Sequence, residues 1–478
     1  MEPSETYGGR YFHDFELPVV NESIGETIPI FAHSTPIVQT EQFRIFQLLE
    51  NFVPIINAAS FSNQVHFQNA YQTPVQRWFP YREGYSTRLV NAFIKELTIT
   101  GNIFDPFSGS GTTLLASRQN NLNSFGIDVN PISVLVAKVE NESYTNSDIE
   151  KLTYEIENLK TLLRSNEVFQ TSFGLANKVF NSEILQALLQ LKFYIKEIKH
   201  EKTQNLFFVA WLAIIENVSN IKKEGNGIKY KNRKRTPKGY INIDKDAWEK
   251  QVFPEDKFHF VKTQLIHHLE IISQDIRNNY GSCEKQPQIF IGSCLTFDEL
   301  FSDEIQFTFF SPPYCNCFDY FEIHKVDLWL GDFVSNKEEF RLLRNTGFRS
   351  NTNSLTHKPI IYKNEHLENL IALFDSRQLW HKRLPSVVRG YFDDAHTLLK
   401  KLYQQTTKGG SVGIVVGNSA YTGVIIPSDV LIADIARNIG FKVKNIFVTR
   451  HLTTSSQQKQ NLTVLKHYLR ESIVLLEK

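Results

Sequence analysis

The spacing of apolar residues changes several times along the chain, and these changes predict a sheet interrupted by helices. Between residues 103 and 140, short apolar runs alternate with turn residues and with helical periods. We predict strands over Ile103–Asp105 and Ser124–Asp128, and helices over Thr112–Gln119 and Pro131–Glu140. This order of elements predicts an α/β fold with a parallel sheet.

The alternation stops near residue 146, and helical periodicity then continues to about residue 286. The apolar run Leu206–Ile215 lies in this stretch and is far shorter than the roughly 20 residues of a membrane span. It therefore predicts a buried helix. A basic loop is expected at Lys222–Gly239, and one amphipathic helix near Glu41–Asn51 is expected in an otherwise irregular N-terminal region.

Strand patterns return in the second half of the chain. The predicted elements are strands at Gln288–Phe297, Ile305–Phe310 and Gly409–Tyr421, a helix from Ser428 to a stop at Gly440, and antiparallel closing strands at Val443–Arg450 and Arg470–Lys478. The stretch near 332–405 is expected to be irregular. One α/β sheet, formed by residues 71–145 and 287–478, would thus be interrupted by a helical insert at 146–286 and preceded by an extension at 1–70.

Composition narrows the functional classes. The net charge of +1 gives little attraction toward a nucleic acid as a whole, so any DNA contact must come from local clusters of charge. Four cysteines without C-x2-C spacing argue against a disulfide framework and a structural zinc site. The N-terminus lacks the basic and apolar pattern of a signal peptide. We expect a soluble, cytoplasmic protein without a metal.

The segment DPFSGSGTT lies where a parallel sheet binds ligands, after the first strand and at the start of a helix. A nucleotide-triphosphate loop would require a lysine, which is missing here. A dinucleotide loop would have a third glycine at the position of Leu114. S-adenosylmethionine is the third candidate. Asp128, which ends the second strand, suits the ribose of either NAD or S-adenosylmethionine, so it does not separate them.

A second unusual segment is SPPY at Ser311–Tyr314, where an apolar strand runs directly into two prolines. Proline lacks an N–H group and fixes φ, so the chain must turn there. The pair of segments, DPFSGSGTT and then SPPY, resembles the amino-methyltransferase family that methylates exocyclic amines of DNA bases. Serine at the first position of the second motif is typical of the members that act on cytosine N4.

The resemblance implies a Rossmann-like sheet that binds S-adenosylmethionine, with an antiparallel closing strand and a helical target-recognition insert. It implies a sequence-specific DNA methyltransferase acting on cytosine N4 in a restriction-modification system, and adenine N6 is the alternative target. RNA base methylation and a catalytically silent DNA-recognition subunit are further alternatives. Methylation of cytosine carbon 5 would need a Pro-Cys nucleophile, which SPPY does not contain.

The family's motifs assign roles to positions of this chain. The resemblance implies that Ser311 and the carbonyl of Pro312 accept hydrogen bonds from the target amine, that Pro313 holds the corner rigid, and that Tyr314 stacks on a flipped base. The implied cofactor-binding residues are Trp78, Phe79, Tyr81, Asp105, Pro106, Phe107, Ser108, Gly109, Gly111, Thr112, Asp128 and Ser293. Ser293 replaces an acid that the family often has near the adenine.

Double-stranded DNA is the expected partner, together with a cognate restriction endonuclease. Two basic segments could neutralise its phosphates. The candidate residues are Lys229, Lys231, Arg233, Lys234, Arg235 and Arg389.

Overall fold

The computed structural model describes residues 37–65, 72–82, 84–224, 227–237, 239–278, 284–355, 358–375, 377–453, 462 and 464–478. Much of the expected N-terminal extension (residues 1–36 and 66–70), and Cys283 as well, lies outside these described residues.

The regular elements follow in chain order. The helices are α1 Ile37–Glu50, α2 Thr87–Glu96, α3 Thr112–Gln119, α4 Pro131–Glu140, α5 Asn146–Thr161, α6 Ala176–Val179, α7 Ser182–Glu197, α8 Glu201–Ile214, α9 Lys245–Val252, α10 Lys257–Arg277, α11 Tyr320–Ile323, α12 Lys325–Leu330, α13 Lys337–Asn345, α14 Glu365–Ala372, α15 Leu384–Gln405 and α16 Ser428–Ile439. The strands are β1 Ile55–Asn57, β2 Ile103–Asp105, β3 Ser124–Asp128, β4 Ile221–Lys223, β5 Ile228–Tyr230, β6 Arg233–Thr236, β7 Gly239–Asn242, β8 Gln288–Ile291, β9 Ile305–Phe310, β10 Thr406–Gly417, β11 Ser419–Tyr421, β12 Val424–Ile426, β13 Lys442–His451 and β14 Arg470–Glu477.

In the described part of the chain, eight strands form one sheet in the order β1-β13-β14-β10-β9-β2-β3-β8. Strand β14 runs antiparallel to both of its neighbours, whereas the other adjacent pairs are parallel. The fold is therefore a Rossmann-like α/β sheet with an antiparallel closing strand, as expected. Its parallel strands all end at one edge, and this edge positions the site described below.

Alternating side chains of the strands build a core on each face of the sheet. Ile473 and Leu475 of β14 pack on the face covered by α2, whereas Val474 and Leu476 pack under α15 and α16. All four side chains are buried. A sheet buried on both faces explains why its strands appear in the sequence as nearly continuous apolar runs.

The helices between β3 and β8 share a core with the sheet domain. Trp211 of α8 and Leu265 of α10 are fully buried in a cluster that also contains Ile132 of α4 and Val326 of α12. The buried helix expected at Leu206–Ile215 is present as most of α8. This shared packing fixes the insert against the edge of the sheet where the site lies.

Three expectations about local structure were wrong. The stretch 332–405 is not irregular, because it contains α13, α14 and the 22-residue α15. The basic segment expected as a loop forms two hairpins, β4–β5 and β6–β7. The strand expected at Gln288–Phe297 ends at Ile291, and a short 3-10 helix begins at Phe297.

Over the described ranges, no helix is long and apolar enough to cross a membrane.

Candidate active site

A cavity of about 640 Å³ opens at the carboxyl edge of the sheet. The glycine loop that follows β2 and the proline corner that follows β9 both line it. They meet because β2 and β9 are adjacent parallel strands, with Ile103 paired to Phe307. Gly109 and Tyr314, which are far apart in the sequence, therefore face the same space.

The glycine loop is held in one conformation by backbone contacts. Gly109 has a φ of +50°, and a Cβ atom there would lie 2.9 Å from Cε1 of Tyr81. Its N–H group donates a 3.0 Å hydrogen bond to Oδ2 of Asp128. The second oxygen of Asp128 accepts a 2.8 Å hydrogen bond from the N–H of Asn130. The loop and the end of β3 thus form one rigid wall of the cavity.

Two carboxyl groups line this wall, the buried one of Asp105 and the half-buried one of Asp128. Burial raises the pKa of Asp105 to about 7, although hydrogen bonds from Phe107, Thr113 and Tyr85 act in the opposite direction. Burial also raises the pKa of Asp128, against its backbone hydrogen bonds. Within the described residues, neither carboxylate forms an ion pair with a lysine or an arginine. A cationic ligand would supply the missing countercharge.

Sequence reasoning missed Tyr85, which orders this carboxyl group. Its hydroxyl donates to Oδ2 of Asp105 at 3.1 Å and lies 2.5 Å from the hydroxyl of Thr113. Burial raises the pKa of Tyr85 well above its usual value, so the phenol stays protonated. A tyrosine beside the expected cofactor segment was the available signal, but only the fold shows that it reaches Asp105.

The proline corner forms the opposite wall. Ser311, Pro313 and Tyr314 line the cavity. The hydroxyl of Tyr314 donates a 2.6 Å hydrogen bond to Oε1 of Glu471, which is a residue of β14. Burial, and then the charge of Glu471, raise the pKa of Tyr314 well above its usual value. The phenol is therefore a fixed hydrogen-bond donor at neutral pH.

Comparisons with known proteins agree with this geometry. A family model described as "DNA methylase", that of the N6/N4 methyltransferases, matches residues 64–138, which include the glycine loop. The Type II methyltransferase M.BsoBI of Geobacillus stearothermophilus is 25% identical and covers 94% of each chain. The Type II methyltransferase M.AvaI of Nostoc sp. is 27% identical, over 80% of this chain and 82% of its own. M.MjaII of Methanocaldococcus jannaschii is 32% identical over 29% of this chain and 27% of its own.

The chain thus resembles the N6/N4 methyltransferases at residues 64–138 and Type II methyltransferases over most of its length. The predicted resemblance is confirmed, and methyltransferases of this kind use a methyl-donor cofactor. The comparisons do not distinguish cytosine N4 from adenine N6.

Most of the predicted site residues of the methyltransferase lie together around the cavity. Those that line it are Tyr81, Asp105, Pro106, Phe107, Ser108, Gly109, Thr112, Asp128, Ser293, Ser311, Pro313 and Tyr314. Their individual roles remain predictions.

Two aromatic residues that were predicted to contact the cofactor do not line the cavity. Trp78 is fully buried, and its indole N–H donates a 2.9 Å hydrogen bond to Oδ2 of Asp275 on α10. Phe79 is also buried, and its ring stacks on His324 with 6.3 Å between the centroids. Both side chains belong to the core shared with the insert. The predicted contact of Trp78 and Phe79 with the cofactor is therefore wrong, because both side chains pack in this core.

Gly111 and Pro312 also lie outside the cavity lining of the methyltransferase. A Cβ atom on Gly111 would lie 2.6 Å from Nδ2 of Asn141, so glycine is required there by the packing of α4 against the loop. Its φ of +88° adds a second reason. Pro312 is buried and, with Tyr391 of α15, borders a much smaller hollow. The prediction for its backbone carbonyl stays open.

A network of buried and half-buried charges joins the helical insert to the wall of the cavity, which Arg82 and Lys223 both line. Arg82 forms two hydrogen bonds with the carboxylate of Glu216, at 2.9 and 3.0 Å. Lys223 forms an ion pair with Asp327, whose Oδ2 lies 3.3 Å from Nδ1 of His324. Burial alone would raise the pKa of Asp327, but Lys223 and His324 lower it below its usual value. Such long-range pairs carry no local sequence signal.

The basic hairpin β6–β7 is exposed on both strands. Directly opposed residues of an antiparallel pair share a face, so Arg233 and Arg235 lie on the same face as Tyr240. The guanidinium of Arg233 lies 4.3 Å from the centroid of the Tyr240 ring. Lys234 lies on the other face. Lys229, on β5, is 3.6 Å from a carboxylate oxygen of Glu224.

Two of the cations predicted to contact DNA are paired with groups of the protein itself. The ammonium of Lys231 donates to the carbonyl oxygens of Glu216 and Ser219, at 2.5 and 2.9 Å. Burial lowers the pKa of Lys231, which is consistent with this internal position. Arg389 forms a two-pronged ion pair with Glu368, with hydrogen bonds of 2.8 and 2.6 Å. The ammonium of Lys231 therefore faces inward, whereas Arg389 is partly exposed and its contact with DNA stays a prediction.

Proposed function

We propose that the protein transfers a methyl group from S-adenosylmethionine to the exocyclic N4 of cytosine in DNA. The supporting observation is the common cavity: a glycine loop with the carboxyl groups of Asp105 and Asp128 faces a Ser-Pro-Pro-Tyr corner across adjacent strands. One wall suits a cationic methyl donor, and the other suits a planar base.

The residues of the first wall fit S-adenosylmethionine. Asp105 would attract the amino group of the methionine part, and Asp128 would accept hydrogen bonds from the ribose hydroxyls. The absence of a side chain at Gly109 lets the backbone approach the ligand closely. When bound, the cofactor supplies an electrophilic methyl group on a sulfonium. Ser293, which lines the cavity, would lie on the adenine side.

The second wall suits an exocyclic amine as the nucleophile. The lone pair of such an amine is delocalised into the ring, and acceptors for both amine hydrogens favour a more tetrahedral nitrogen. Ser311 would supply one acceptor and the carbonyl of Pro312 the other, both preorganised by the rigid corner. Tyr314 would stack on the base after it leaves the duplex, which contributes about 1–3 kcal/mol.

Cytosine is favoured over adenine because Ser311 stands where the family's cytosine-N4 members prefer serine. Adenine N6 is the second candidate, since the same cavity and the same two acceptors serve either amine. The relatives are named Type II methyltransferases. We therefore propose that this protein likewise acts at a specific DNA sequence and protects it from a cognate restriction endonuclease.

The exposed hairpin β6–β7 is the proposed DNA contact. Two-stranded ribbons fit the major groove, and this one carries Arg233, Lys234 and Arg235 on its first strand. Lys222 and Lys223 of β4, which lead toward it, line the cavity. A duplex held by the ribbon would thus lie beside the site that receives the flipped base.

The test is to express the protein in a host that lacks both modifications and to analyse the nucleosides of its DNA by mass spectrometry. We expect N4-methylcytosine, and none in a matched strain that carries Tyr314→Ala. N6-methyladenine alone would establish the second candidate. Neither product, from a protein that binds S-adenosylmethionine, would refute the proposed transfer to DNA.

A further inference from the structure

Strand β14 brings a charged residue into the cavity from an unexpected part of the chain. Because β14 is antiparallel to its neighbours, its first residues lie at the edge where the parallel strands end. Glu471 is paired in register with Gly417 of β10 on one side and with Arg450 of β13 on the other. Glu471 and Arg450 both line the cavity, on the side of the proline corner.

The two oxygens of the Glu471 carboxylate have different partners. Oε1 accepts the hydrogen bond from the hydroxyl of Tyr314, at 2.6 Å. Oε2 accepts a hydrogen bond from Nε of Arg450, at 2.5 Å. The Glu471 side chain is only 3% exposed, and that of Arg450 is 33% exposed. Arg450 supplies the countercharge for this buried carboxylate, and a hydrogen bond to a charged acceptor is stronger than one between neutral groups.

The ring of Tyr314 is also fixed from below. A Cβ atom on Gly417 would lie 2.7 Å from Cε2 of Tyr314, so the ring rests against the bare backbone of β10. The contact with Gly417 thus fixes the plane of the ring, and the hydrogen bond to Glu471 fixes the position of its hydroxyl end. Both contacts come from residues that are in register across two adjacent strands.

The hydrogen bonds have a defined direction. A carboxylate can only accept, so the Tyr314 proton points to Glu471. Nε of Arg450 donates to the same carboxylate, from its other side.

We propose that Glu471, held in place by Arg450, is a positioning residue for methyl transfer. Through the hydroxyl of Tyr314 it fixes the ring that is to stack on the target base. This inference rests on the proposed function, and it adds two residues of the closing strands to the machinery. It differs from a purely structural role, in which the Glu471–Arg450 pair would only hold β13 and β14 together.

A double-mutant cycle separates the two roles. The variants are Tyr314→Phe, which removes only the hydroxyl, Glu471→Gln, and the combination of both. Glu477→Gln is the matched control, because it removes the partner of Lys444 on the same two strands at the far end of the sheet. The measurements are the single-turnover rate of methyl transfer to DNA from an unmodified host, and the calorimetric affinity for S-adenosylmethionine.

We expect each single variant to lower the single-turnover rate by about ten- to a hundredfold, the range for losing one hydrogen bond to a charged group. The cofactor affinity should stay within about twofold of the wild type, and Glu477→Gln should keep the wild-type rate. In the Tyr314→Phe background, Glu471→Gln should cause no further loss. If Glu471→Gln fails to bind cofactor because it is misfolded, Arg450→Lys takes its place in the cycle.

Equal losses from Glu471→Gln with and without the tyrosine hydroxyl would overturn the positioning role while leaving the proposed function intact. A Glu471→Gln protein with the wild-type rate would overturn it as well. A wild-type protein that methylates no DNA would instead refute the proposed function, and this inference with it.

Discussion

The buried carboxyl group of Asp105 should make cofactor affinity depend on pH close to neutrality. Burial raises its pKa to about 7. Below that pH the group is mostly protonated and neutral, and only the ionised form attracts the amino group of S-adenosylmethionine. The affinity should therefore rise as the pH rises through this pKa, because the ionised fraction rises.

The size of the effect follows from the ionised fraction. For a pKa of about 7, this fraction is about one-eleventh at pH 6 and about one-half at pH 7. The affinity should thus rise about fivefold over that interval, which equals about 1 kcal/mol. An α-amino group has an ordinary pKa of about 7.7–8.0, so that of the cofactor remains mostly charged up to pH 7.

Isothermal titration calorimetry at pH 6.0, 6.5 and 7.0 would measure this dependence. Repeating each titration in two buffers of different ionisation enthalpy would count the protons released on binding. Asp105→Asn should bind more weakly, with an affinity that does not change over this interval, whereas Glu477→Gln should keep the wild-type dependence. A constant affinity of the wild type, or an unchanged pH dependence in Asp105→Asn, would refute the reasoning.

Three further outcomes are expected. Asp128→Ala should weaken cofactor binding at least about tenfold in calorimetry, since it loses a charged hydrogen bond worth about 1.4 kcal/mol or more; unchanged affinity would rule out the ribose role. Replacing Arg233 and Arg235 by alanine should weaken DNA binding and reduce by about 2 the slope of the logarithm of the binding constant against that of the salt concentration, whereas Arg389→Ala should leave this slope unchanged. Equal slopes in the wild type and both variants would show that the hairpin β6–β7 does not contact DNA phosphates. Trp78→Phe should lower the free energy of unfolding by about 1–3 kcal/mol without changing cofactor affinity, because the indole N–H donates a hydrogen bond to the buried carboxylate of Asp275. A large loss of affinity would instead support the predicted contact between Trp78 and the cofactor.

The sequence was sufficient where one local signal determined an element. Strand β9 begins and ends where its apolar run does, because Pro312 and Pro313 prevent its continuation. Helix α16 spans Ser428–Ile439 as expected, because Gly440 adopts a φ of +125° that other residues rarely reach. The two motifs also predicted that the glycine loop and the proline corner meet at one edge of the sheet, where both line the cavity.

The sequence was insufficient where long-range contacts or competing signals decide. Helix α15 was missed because Pro385 and Gly390 fall within its span, although proline is tolerated in the first turn of a helix. Strand β6 was missed because its arginines and lysine are all exposed and show no alternation of apolar residues. Lys231 looks like its neighbours in the sequence, and only the fold reveals that its ammonium faces the carbonyls that follow α8.

The position of β14 has a consequence for the synthesis of the protein. This strand follows every other strand of the sheet in sequence, yet it lies between β10 and β13. Until residues 470–477 have left the ribosome, both of those neighbours present unpaired edges, which are prone to join other strands. A product that stops before residue 470 would lack the acceptor for Tyr314, so it should be both inert toward DNA and liable to aggregate. Premature termination should therefore yield no partially active enzyme.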